Sequence, residues 1–370
     1  MPKALIDVPF TGNKIHWDTH KNEYLQVFDE VLSTGKWQGN DTSEALESAL
    51  VSITGRNHAI LVGSGTEALY LATRALDDGK PDVILPAYSF SATASAVVRA
   101  GKNPVFIDVN LYGLMTPPRP SQINSDTSII MPVHMYGRNT QGNTYNINTI
   151  IDNAQGFRRN QYAFKNGTIQ CLSFDPMKTL PAFGSAGAIL CDDPVLAFLI
   201  KGLRNNSPYS PLPSQNSQVP AIISAGLLVS LNKYFNEWNA RRGTISKMYI
   251  DHIPLAYQDM YPDLTSYHKF PIYSSNRDEM AEYLKERGIE TKVHYSYTLP
   301  ELDQFGGMPA EEAKEKFPNA YLLSRNELSL PIYPQMTNEQ VWYVIECVND
   351  FMRLTISEDV HQPNPIRNLV

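Results

Sequence analysis

The chain has 370 residues, 42% of them hydrophobic and 19% charged, enough to bury a large core in one large or two moderate domains. A formal net charge of −7 gives no overall electrostatic reason for nucleic acid or an anionic membrane as partner, so a small anionic ligand would have to be held by a local cationic site. Three scattered cysteines, Cys171, Cys191 and Cys347, argue against a disulfide framework or a metal knuckle and fit a reducing cytoplasm.

The opening MPKALIDVPF lacks the basic region and apolar stretch of a signal peptide. In KIHWDTHKNE (14–23), His16 and His20 stand four apart. No glutamate follows the first histidine, and Trp17 and Asp18 stand there instead, so surface histidines on an early helix are expected and no metal site. From about residue 43, short apolar runs alternate with helical periodicity. HAILVGSG (58–65), DVILP (82–86), PVFID (104–108), SIIMPVH (128–134), NTIID (148–152), IQCLSF (169–174) and GAILCD (187–192) read as buried strands. TEALYLATRAL (66–76) and SATASAVVRAG (91–101) read as helices, Gly101 ending the second. This is the pattern of an α/β fold with a mostly parallel sheet covered by helices, whose functional loops belong at the strands' carboxyl ends.

PAIISAGLLVSL (220–231) is too short for the ~20 residues of a membrane span and reads as a buried helix. Beyond about residue 235 the texture changes to a smaller α+β unit. A helix over 276–288 is expected to be capped by Asn276 with Glu279, and another begins at a Thr337–Gln340 capping box. KFPIYSS (269–275), IETKVHY (289–295) and ELSLPI (327–332) supply candidate strands, and the tail 361–370 reads as extended or disordered. The expected division is a large domain over 1–235 and a small one over 236–370.

Four segments carry chemistry. GSGTEAL (63–69) joins a strand to a helix through a glycine turn whose free N–H groups and hydroxyls suit a dianion, although an ordinary turn looks the same. Phe90 follows a strand and could stack on a planar ring or anchor the core. In IIDNAQG (150–156), Asp152 ends an apolar strand, where a carboxylate needs a positive partner or an N-cap role; Gln155 follows three residues later. Ser173, Asp175 and Lys178 lie on the loop of CLSFDPMKTLPAFGSAGAIL (171–190), and a desolvated lysine amine there could form an imine with an aldehyde cofactor.

In this order the segments resemble the DegT/DnrJ-type sugar aminotransferases, fold-type-I enzymes that use pyridoxal 5′-phosphate (PLP) to aminate nucleotide-linked ketosugars. The likeness extends through MPVHMYG (131–137), NKYFNEWNARR (232–242), GIETKVHY (288–295) and 328–351. It implies Lys178 as Schiff-base lysine, Asp152 as partner of the pyridinium nitrogen, Gln155 at the ring oxygen and Phe90 stacked on the ring. It further implies the phosphate against Gly65, Thr66 and Ser173, and Asn216 reaching a neighbouring subunit's phosphate, hence a cytoplasmic homodimer with shared active sites. Trp37, His294 and Tyr295 would approach the sugar nucleotide. The implied reaction is ping-pong, with glutamate or glutamine as donor and a 3-keto or 4-keto sugar as acceptor. A dehydratase relative would carry histidine in place of Lys178; a non-catalytic sensor or scaffold is the reading from another class.

The chain also departs from the family pattern. Gln218 stands where an arginine is usual, Ile151 where a glutamate precedes the aspartate, and Phe157-Arg158 where a histidine follows. Only twelve residues, 138–149, separate two strands that normally enclose a crossover helix, near the lower limit for a parallel connection.

Overall fold

The computed structural model describes residues 6–39, 41–140, 147–158, 164, 166–254 and 265–356. Helices α1 (Asn13–Ser33) and α2 (Asp41–Thr54) precede strand β1 (His58–Val62); α3 (Gly65–Ala75), β2 (Asp82–Pro86), α4 (Ser91–Arg99), β3 (Asn103–Ile107), β4 (Thr127–Ile130), β5 (Asn148–Asp152), β6 (Ile169–Ser173) and β7 (Gly187–Cys191) follow. Together the strands form one sheet of order β1-β7-β6-β5-β4-β2-β3. β7 runs antiparallel to both of its neighbours and the other pairs are parallel. Six carboxyl ends therefore share one edge. All seven predicted strands are present, and they read as unbroken apolar runs because helices cover both faces.

α5 (Pro194–Arg204) packs beside α3, while α6 (Ala221–Lys233) packs against α1 and α2. α6 is the buried helix expected at 220–231, apolar on most sides, with Ala221, Ala225, Leu227 and Leu231 in the core. The crossover between β4 and β5 contains no helix among its described residues; a single 3-10 turn, Met135–Gly137, takes up the path, followed by buried Arg138, Asn139 and Thr140.

A second core forms where α7 (Phe235–His252), α8 (Arg277–Lys285) and α11 (Asn338–Ile356) enclose the antiparallel pair β8 (Phe270–Tyr273) and β9 (Glu327–Leu330). Helices α9 (Ala310–Lys316) and α10 (Pro318–Asn326) precede β9. The N-terminal segment joins this second core: Val8 is fully buried in it, donates its N–H to the Gly288 carbonyl at 2.8 Å and accepts from Glu290 N at 3.0 Å.

Three local expectations are corrected. The stretch 289–295 is not a strand: it makes isolated bridges only, Ile289 with Val8 and Lys292 with Ser329, because its partners are split between two distant segments. Asn276 makes no side-chain cap to α8, its amide oxygen being engaged by the Ser275 hydroxyl at 3.1 Å. The Thr337–Gln340 box does form, with reciprocal bonds of 3.1 and 3.0 Å. His16 is buried, with its Nε2 2.6 Å from the Tyr24 hydroxyl and its ring among Tyr234 and Trp238, so it is a core histidine rather than a surface one. The 361–370 tail lies outside the described residues. All three cysteines are free and buried, and no described helix is long and apolar enough to cross a membrane.

Candidate active site

A cavity of about 410 Å³ opens at the shared carboxyl edge of the large sheet. Gly65, Thr66, Phe90, Asp152, Gln155, Ser173, Lys178, His294 and Tyr295 all line it, so nine candidates from separate segments converge on one space.

At one end lies the start of α3. Ser64 caps this helix, its hydroxyl accepting from Glu67 N at 3.1 Å, which leaves the first-turn N–H groups directed at the cavity. The approach of Ser173 is so close that a Cβ on Gly65 would lie 2.7 Å from the Ser173 Cβ, and one on Gly187 would lie 2.5 Å from the Ser64 carbonyl. Side chains at these two glycines would push the turn away from Ser173 and β7 and so displace the helix start from the cavity.

Asp152 is buried where β5 ends. Its Oδ2 accepts from the Thr93 hydroxyl at 2.8 Å and its Oδ1 from Ala154 N at 3.1 Å, and Thr93 is held in turn by Ser89 at 2.8 Å. Desolvation pushes the Asp152 carboxyl up from its ordinary value; the bonds from Thr93 and Ala154 and the charge of Lys178 oppose this without cancelling it. A buried carboxylate with no bonded cation is matched to a charge that a ligand would bring. The N-cap reading of Asp152 fails, since no helix starts there.

Lys178 is partly buried, and desolvation lowers its amine below the usual lysine range. Its loop is tightened by Asp175, whose Oδ1 accepts from Met177 N at 2.9 Å and whose carbonyl accepts from Lys178 N at 2.8 Å. Gln155 is oriented by Tyr136: the Tyr136 N–H donates to Gln155 Oε1 at 2.7 Å, which turns the amide NH₂ toward the cavity wall, where it donates to the Tyr295 hydroxyl at 3.4 Å and the Met135 sulfur at 3.8 Å. Tyr136 adopts a φ of 59°, a strained value for a residue with a side chain. Phe90 is about half exposed, on the cavity wall, 5.7 Å from the Tyr295 ring, so the core-anchor alternative fails.

The second wall comes from beyond residue 265 and is clamped to the first by tyrosines. Both Tyr88 and Tyr136 donate their hydroxyls to the His294 carbonyl, at 2.6 and 2.8 Å, and Tyr88 accepts from Tyr295 N at 2.9 Å. This wall also carries Lys269 and Lys292, neither of which was expected to line the site; Lys292 lies in GIETKVHY and Lys269 opens the apolar run KFPIY, but nothing in either stretch sets the lysine apart.

Two candidates lie elsewhere. Trp37 is 62% exposed, its indole N–H donating to the Leu32 carbonyl, and Asn216 bridges to Asn205; neither lines the cavity. They share a surface strip, because Gln38 bridges Pro220 and Ala221 N donates to the Trp37 carbonyl at 2.8 Å.

The family model for the DegT/DnrJ/EryC1/StrS aminotransferases matches residues 18–349. The chain is 30% identical to the erythromycin biosynthesis sensory transduction protein EryC1 of Saccharopolyspora erythraea, covering 92% of this chain and 98% of that one. It is 28% identical to the dTDP-3-amino-3,4,6-trideoxy-alpha-D-glucose transaminase of Streptomyces venezuelae, covering 93% and 96%. Among solved structures, the crystal structure of NtdA from Bacillus subtilis with bound cofactor PMP superposes with a TM-score of 0.85 at 25% identity, over 95% of this chain and 86% of that one.

Proposed function

We propose, from the premise that this chain belongs to the DegT/DnrJ/EryC1/StrS aminotransferase family and is a PLP-dependent sugar aminotransferase of the type-I fold, that it aminates C3 of a nucleotide-linked 3-ketosugar with glutamate or glutamine as donor. The observation that carries this reading is the meeting, in one cavity, of a buried carboxylate, a partly buried lysine whose pKa is lowered and an open helix N-terminus. The name of the Streptomyces relative supports position 3 and a nucleotide-linked substrate.

These residues fit the cofactor. Bound here, PLP supplies an electron sink that makes an amino acid's α-proton removable. The start of α3 at Gly65 and Thr66, with Ser173, would hold its phosphate; Asp152 would keep the ring nitrogen protonated, Gln155 would donate to the ring oxygen, and Phe90 would cover the ring face. The Lys178 Nζ would take the proton from the donor's α-carbon and later deliver one to the sugar carbon that receives nitrogen, a role that its lowered pKa favours. His294 and Tyr295 would face the sugar.

The surface strip bearing Trp37 and Asn216 supports a homodimer in which each subunit lends these residues to its partner's cavity. The two separate cores support a division into domains 1–235 and 236–370, with residues 6–10 of the first domain crossing to the second core.

The test is the visible absorption of PLP-loaded protein, wild type and Lys178→Ala, before and after each donor, followed by product analysis with dTDP- and UDP-linked 3- and 4-ketosugars. A band that disappears with donor and returns with a 3-ketosugar supports the reading. Product from 4-ketosugars alone would move the amination to C4. A band that ignores both donors, with no product from any sugar, would favour a sensor or scaffold.

A further inference from the structure

Five charged side chains besides the histidines line the cavity: Asp152, Asp175, Lys178, Lys269 and Lys292. The proposed function uses Asp152 and Lys178, and Asp175 is occupied in its own loop. Two lysines are left over.

Lys269 is 7% exposed and forms neither an ion pair nor a side-chain hydrogen bond with any described residue. Its ammonium lies 4.7 Å from the centre of the Phe10 ring, and that of Lys292 lies 5.2 Å from the same ring, which also stacks on His294 at 5.8 Å. An aromatic face steadies two cations without neutralising either. The acid whose charge acts on Lys269 is Glu327, but its carboxylate already accepts from His294 N and the Ser329 hydroxyl, and burial holds its pKa up at about 8. A buried, unpaired ammonium turned into a cavity is stable only when something anionic arrives.

We infer that Lys269 and Lys292 form a second oxyanion subsite, distinct from the helix start at Gly65, that takes a carboxylate or phosphate carried by one of the two substrates. This rests on the proposed function for what the anion belongs to, and on the geometry alone for its existence. The groups facing Lys269 are Lys178, Arg242, Lys292, His268, His294 and Glu327, so cations outnumber the single acid and an arriving anion promotes proton retention by Lys269. Binding should weaken as pH rises.

The experiment is calorimetric titration of the PLP-loaded, full-length protein with sodium sulfate, the cofactor already filling the helix-start site. Wild type should bind sulfate. Lys269→Met should weaken binding roughly tenfold or more, Lys269→Arg should restore it to within about threefold, and exposed Lys292→Met should cost about threefold. No sulfate binding by wild type, or equal binding by Lys269→Met and Lys292→Met, overturns the subsite.

The two half-reactions then identify the source. A higher half-saturating glutamate concentration alone assigns the subsite to the donor's carboxylate, and a higher ketosugar concentration alone assigns it to an anion on the sugar; no change in either overturns a substrate role. Should the cofactor band ignore every donor while sulfate binding still tracks Lys269, the subsite stands and the aminotransferase reading falls.

Discussion

The two walls of the cavity are built in opposite ways. The sheet wall, from Ser64 to Lys178, comes from loops that leave consecutive strands; its Asp152 is restrained by Thr93 and Ala154, its Gln155 by Tyr136, and its lysine by a short turn. The far wall, from His268 to Tyr295, has no strand leading into 289–295, holds two unpaired lysines, and is positioned by tyrosine hydroxyls that grip one carbonyl. A wall whose side chains are each fixed by hydrogen bonds to the protein can keep one geometry through every turnover, whereas one whose cations make no such bond is matched to what comes and goes. The first suits a resident cofactor and the second a changing pair of substrates.

That contrast breaks if a sheet-wall change affects only one half-reaction. Lys178→Ala should lower turnover by at least about 10³-fold, with both half-reactions lost when each is followed in a single turnover. Asp152→Asn should lower both rates by about 10²-fold with little change in the donor concentration needed for half-saturation, since on the proposed function the lost interaction is with the cofactor rather than the donor. A tenfold or greater change in only one half-reaction for either variant would remove the division of labour.

Stability sharpens the same comparison. His134 is fully buried beneath the sheet wall, its Nδ1 2.8 Å from Asn153 Oδ1 and its Nε2 without a partner among the described residues, and burial lowers its pKa to about 4. The unfolded chain binds a proton that the native state refuses, so this stability is full above about pH 6.5 and is lost as pH falls toward 4. Urea unfolding should show a loss on the order of 2 kcal/mol from this group between pH 6.5 and 5, absent in His134→Gln. Smallest in effect, Thr337→Ala should cost about 1 kcal/mol through the lost cap of α11 and leave both half-reactions untouched.

The sheet wall was legible because each of its residues follows an apolar run whose end marks a loop: Asp152 after NTIID and Ser173 after IQCLS follow directly from strand periodicity. The far wall was not, because nothing local distinguishes Lys269 or Lys292 from solvated lysines. Their setting is made by Phe10, some 260 residues earlier than Lys269, and by Glu327, well beyond both. IETKVHY misled for the same reason: its β-branched residues suit a strand, but its backbone partners are divided between Val8, Ser329 and two tyrosines. His16 misled through its polar neighbours, which line the exposed side of α1 while the ring itself turns inward to Tyr24.

The pairing of Val8 with Gly288 and Glu290, reinforced by Phe10 N donating to the Glu290 carboxylate at 2.8 Å, has a consequence in the time of synthesis. The partners are separated by 280 residues, a stretch that takes on the order of tens of seconds to translate. Until residue 269 Phe10 has neither Glu290 nor either lysine to meet, and the seven-stranded sheet is translated in full before either lysine exists. The nascent chain thus completes every sheet-borne part of the cavity first, and the ring that braces the far wall is set in place only after residue 292 has been added.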